Sequence, residues 1–63
     1  MPAPATDLPE DKRKELFLAL VTLQDEGVAV AESRAFVAGQ YGVDVAVVVG
    51  IENEGSDAGW PPL

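Results

Sequence analysis

Residues 34–53, RAFVAGQYGVDVAVVVGIEN, decide the fold, and they admit two readings. In the first, Gly42-Val43-Asp44 is a turn followed by a helix cap. Gly42 permits a positive φ, and Asp44 is a good acceptor for the first turn of a helix. Val48 and Ile51 then lie three apart, as on one helical side. The ending Ile51-Glu52-Asn53-Glu54-Gly55 reads as a helix terminus. In the second reading, Val43, Val45, Val47, Val49 and Ile51 alternate with Asp44, Ala46, Val48 and Gly50. That is period two, and valine favours strands. Residues 27–31 (GVAVA) and 34–39 (RAFVAG) would then be earlier strands of a small antiparallel β-sheet behind one helix. The turn and cap favour the helical reading, an all-α three-helix bundle. Its third helix, Asp44 to Glu54, is rich in β-branched residues and must rely on tertiary contacts.

Upstream, a second helix is expected over Ala31–Gln40. Ala35, Val37, Ala38 and Tyr41 supply its apolar side. Its start lacks a Ser, Thr, Asp or Asn cap, and Gly39 inside it costs about 1 kcal/mol relative to alanine. Before it, Asp7-Leu8-Pro9-Glu10 reads as a capping box with Pro in the first turn. The helix that follows places Leu16, Phe17, Leu20 and Leu23 on one side, with Leu18 and Val21 on another. Leu18 and Val21 either meet a packed neighbour or form a partner surface. Gly27 ends the helix as a left-handed cap.

The chain divides into a Pro/Ala-rich arm (1–6), a helical domain (7–55) and a Trp/Pro tail (56–63). In the tail, Trp60 either folds back over the core or presents Trp60-Pro61-Pro62-Leu63 to another protein, as proline-rich segments do. The N-terminus lacks the basic and apolar regions of a signal peptide. No apolar run approaches the roughly 20 residues of a membrane span. A soluble cytoplasmic protein without membrane contact is expected.

The totals constrain function. Sixty-three residues make one small domain, and a chain so short buries only about 60% of its unfolded surface. Such domains usually need a staple. With neither cysteine nor histidine, disulfides and the usual metal ligands are excluded, leaving a protein partner or self-association. The same absences remove the common nucleophile activators, since Ser33 and Ser56 have no histidine to deprotonate them. No enzyme and no cofactor are expected. Glu52, Glu54, Ser56 and Asp57 superficially suggest a calcium loop but lack the full ligand pattern.

At this point residues 34–53 resemble the helix-turn-helix of bacterial regulators and sigma-factor region 4-like domains. The match rests on Ala38, Gly42, Val43, Val48 and Ile51, with Val37 and Tyr41 beside them. In that family a small residue lets the helices cross closely, and Gly opens the turn. The resemblance implies that the exposed side of the second helix of the motif reads the major groove with Arg, Lys, Gln, Asn or Ser. The matching positions here are Val45, Ala46, Val49, Gly50 and Asn53. Only Asn53 suits a base, and Glu52 and Glu54 flank it.

Charge argues the same way. Eleven acids against four bases give −7, and no base follows Arg34. Phosphate would repel such a chain, and the counterion-release term of DNA binding is missing. Lys12, Arg13 and Lys14 alternate with Glu10, Asp11 and Glu15, so helical pairs can neutralise them. The expectation is a protein-interaction module, a subunit or regulator of a larger assembly. It would bind through Val45, Ala46 and Val49, with Trp60 and Leu18 as secondary contacts. The alternative is a DNA-binding regulator that uses Lys12, Arg13, Lys14 and Arg34 on phosphate and Asn53 on a base.

Overall fold

The computed structural model describes residues 8–63. Its elements are α1 (Glu10–Asp25), α2 (Val30–Tyr41) and α3 (Val45–Ala58), with no strand among the described residues. Each helix packs against both others. The all-α reading therefore holds and the sheet reading fails. The deciding periodicity is helical: Val47, Val48, Ile51 and Gly55 are the buried residues of α3. Burial of that side outweighs the strand preference of the valines, because packing overrides weak intrinsic propensities.

Helix α1 starts later than the sequence suggests. Pro9 is its N-cap in an extended conformation rather than a residue of its first turn. The expected cap, Asp7, lies outside the described residues. Helix α2 extends one residue beyond each expected end, and Ala29 at its N-cap makes no side-chain bond. Asp44 stands at the N-cap of α3 as expected, yet its side chain makes no capping hydrogen bond.

The helices end alike. Gly27, Gly42 and Gly59 have φ of 95°, 67° and 68°. After each, a backbone N–H reaches back five residues: Val28 to Leu23, Val43 to Ala38 and Trp60 to Gly55. This is the Schellman arrangement, which satisfies carbonyls the helix leaves free. The sequence identifies the first two stops. It places the third too early, because α3 runs through Gly55, Ser56 and Asp57 to Ala58.

Gly55 is helical for a packing reason. A Cβ there would stand 2.7 Å from Cγ of Phe17, so only glycine lets the α3 backbone lie on that ring. Beyond the Gly59 cap, Trp60 meets Phe17 edge-on, with centroids 6.0 Å apart and planes at 84°. Trp60 is thus part of the core with Leu16, Phe17, Leu20, Val37, Ala38, Val47, Val48 and Ile51. Residues 56–60 belong to α3 and its cap rather than to a separate tail. Helices α2 and α3 meet at 107°, with Gly42, Val43 and Asp44 between them. Among the described residues, no single helix is long and apolar enough to cross a membrane.

Candidate interaction surface

Helix α3 has two opposed sides. With about 100° per residue, burying Val47, Val48, Ile51 and Gly55 turns Val45, Ala46, Val49 and Asn53 outward. Val45 retains 45% of its surface exposed. Ala46 and Asn53 are exposed, and Val49 and Gly50 are half-buried. Val45, Ala46 and Val49 therefore sit together as the outward first turns of α3. The other expected contacts lie apart from them. Leu18 is 48% exposed on the outer side of α1, and Trp60 is only 7% exposed. With its ring closing the core over Phe17, Trp60 is not presented to a partner.

The flanking acids turn inward. Arg13 donates from Nε to Glu54 Oε1 at 2.9 Å and from Nη2 to Oε2 at 3.1 Å. Its Nη1 donates to the Leu8 carbonyl at 2.6 Å, so one guanidinium joins the entry of α1 to the end of α3. Such two-point contact suits the planar fork of arginine. Arg34 Nε donates to Glu52 Oε1 at 2.9 Å, which ties α2 to α3. Gln24 Nε2 reaches Ser33 Oγ at 3.2 Å and Glu52 Oε2 at 3.5 Å, and Ser33 donates to the Val30 carbonyl. Ser33 is fully buried, and these bonds satisfy it. Glu52 and Glu54, two residues apart on α3, thus hold one neighbouring helix each.

The lysines are paired as well. Lys12 meets Glu15 at 3.4 Å and Lys14 meets Glu10 at 3.3 Å. Lys14 Nζ also lies 5.8 Å from the Trp60 ring centroid. Every Lys and Arg of the chain is therefore matched to a carboxylate. The exposed lysine pairs add little stability. Their consequence is electrostatic: Asp11, Asp25, Glu26, Glu32, Asp44 and Asp57 remain exposed, with no free base to offset them.

Among the described residues, no three of His, Cys, Asp and Glu gather where they could hold a metal ion. Glu52, Glu54, Ser56 and Asp57, whose composition reads as an acidic loop, are helical, so their side chains do not converge as those of an EF-hand loop do. Near the end of α2, Tyr41 has its hydroxyl pushed above the ordinary value, by burial first and then by the negative charge of Glu15.

Two features escape the sequence reading. Ala35, expected on the inner side of α2, is exposed, and Ser33 takes an inner place. Phe36, the large aromatic of α2, is 60% exposed. Its position was available from spacing. Val37 and Tyr41 are four apart and define the inner side, which leaves Phe36 about 100° off it.

Comparison with known proteins adds no relative: no family model, no curated protein and no solved structure matches the chain.

Proposed function

We propose that this chain is a small, acidic, non-enzymatic protein-interaction module, a cytoplasmic subunit or regulator of a larger assembly. Its contact surface is the outward side of α3 at Val45, Ala46 and Val49. The observation that carries this reading is the combination of that apolar strip with the pairing of all four bases. Exposed apolar patches on small domains mark contact surfaces. A nucleic-acid surface needs unpaired cations to displace counterions.

A second reading has one observation in its favour. The 107° turn across Gly42-Val43-Asp44 lies within the 90–120° range usual for a helix-turn-helix. DNA binding would require Arg34, Lys12, Arg13 and Lys14 to leave their carboxylates for phosphate. It would leave Asn53 alone to read a base.

Fluorescence anisotropy with duplex DNA at about 50 mM salt separates the two. The interaction reading expects no binding, whereas micromolar binding with a steep salt slope would establish the DNA reading. Capture from the native cytoplasm then tests the surface. A partner retained by the wild type and lost by Val45→Glu supports it, and equal capture by both sinks it.

A further inference from the structure

A different face of the molecule carries a separate inference. Helix α2 carries apolar residues on its outer side as well as its inner one, with Glu32 at one end of the outer set. Glu32, Ala35, Phe36 and Gly39 are all exposed and spaced i, i+3, i+4, i+7. Phe36, at 60%, is the most exposed large apolar side chain on any of the three helices. Beside it, Gly39 has no positive φ, and a Cβ there would meet nothing within 4 Å. Among the described residues, nothing stands over Gly39 to compensate the helix stability that this glycine forgoes.

We propose that the outer face of α2, centred on Phe36, is a self-association surface on which two copies of this chain pack about a two-fold axis. The patch holds both halves of a contact. Four residues at this spacing form the hole into which a facing helix inserts a knob. Phe36 is the knob, and Ala35 and Gly39 leave the hole open. An isologous contact requires such self-complementarity.

Charge favours a second copy over a basic partner. Helix α2 carries one acid, Glu32, and one base, Arg34, and Arg34 is directed at Glu52. Acids outnumber bases on α1, and α3 carries acids alone. The outer side of α2 is where two chains of charge −7 meet with least repulsion. It offers a cationic surface one carboxylate to engage.

Sedimentation velocity of the full chain, from about 10 μM to about 1 mM, tests this in the weak regime expected of a small interface. The mass should rise with concentration toward twice 6.6 kDa. Added salt should strengthen association, because it screens the repulsion of like-charged copies. Phe36→Glu should raise the dissociation constant at least about tenfold while leaving Trp60 fluorescence unchanged. Gly39→Glu should gain helix by circular dichroism and still lose association, an outcome that misfolding cannot imitate. Val49→Glu should associate like the wild type. A monomer at every concentration would overturn the proposal, as would association that survives Phe36→Glu or is lost in Val49→Glu. Binding of a different apolar partner to the Phe36 face, with no dimer, would also overturn it.

Discussion

Gly55 in α3 and Gly39 in α2 each cost their helix about 1 kcal/mol relative to alanine, but of these two, among the described residues, only Gly55 has a neighbour packed against it. Gly55 lies on the Phe17 ring, with Trp60 closing the same ring edge-on. Gly39 is exposed, and no described residue stands within 4 Å of where its Cβ would be. The same residue in the same kind of element thus marks two situations. One glycine admits a neighbour that is present, and the other leaves a space that no described residue fills. A mid-helix glycine acquires a meaning only when what stands over it is known.

Three substitutions test that contrast, beginning with the ring. Phe17→Ala removes the group that Gly55 exists to admit and uncovers Trp60. It should cost about 3–5 kcal/mol, comparable with the roughly 3–9 kcal/mol total of a domain this size. The expected outcome is loss of cooperative thermal unfolding by circular dichroism. Retention of a sharp transition would mean that the aromatic pair is peripheral.

Gly55→Ala comes next. It forces the Phe17 ring aside and should destabilise by about 1–3 kcal/mol despite the better helix propensity of alanine. Urea denaturation reads the change. In a Phe17→Leu background the same substitution should cost measurably less, because residues in contact are not additive. Strict additivity would break the link between glycine and ring.

Gly39→Ala should act in the opposite direction. In dilute solution, where the monomer dominates, it should stabilise by about 0.5–1 kcal/mol. A loss of stability there would reveal a close contact over Gly39 within the chain and erase the contrast.

The smallest effect lies at the end of α2. The fold favours the protonated form of Tyr41, by burial and then by the charge of Glu15. Its contribution is complete below the unfolded-state value and declines as pH rises through the raised folded-state value. Wild-type stability should therefore fall on the alkaline side, and Tyr41→Phe should flatten that limb. Thermal melts between about pH 8 and 11 would show it, and an identical slope in both proteins would rule the contribution out.

Much of the fold was legible. Leu16, Phe17 and Leu20 at helical spacing gave the inner side of α1, and Gly27 and Gly42 marked two of the three stops. Asp44 marked the start of α3 by position, though not by the hydrogen bond a cap normally makes. The far end of α3 was not legible. Gly55, Ser56 and Asp57 have the composition of a loop, and only Phe17, 38 positions earlier in the chain, explains why the helix continues through them. The candidate surface was legible in part. Val45 and Ala46 are outward, as their offset from Val48 and Ile51 implies, whereas Val49 is half-covered. Trp60 looked available because nothing local to the Pro61-Pro62 segment says that it folds back.

Some properties were determined by the sequence alone, because composition does not depend on which residues meet. The net charge of −7, the lack of cysteine and histidine, and the crowding of every base before residue 35 are of this kind. Local signals of helix starts and stops belong with them, since a cap or a positive φ concerns only a few neighbouring residues. Only the tertiary structure decided whether residues 43–51 are helix or strand. The valine run satisfies both periods, and burial against Phe17, Leu20 and Val37 selects one of them. It also assigned Glu52 and Glu54 to Arg34 and Arg13, 18 and 41 residues away. Such pairings depend on which helices come together, and with the two lysines paired locally along α1 they leave no unpaired lysine or arginine to offer phosphate.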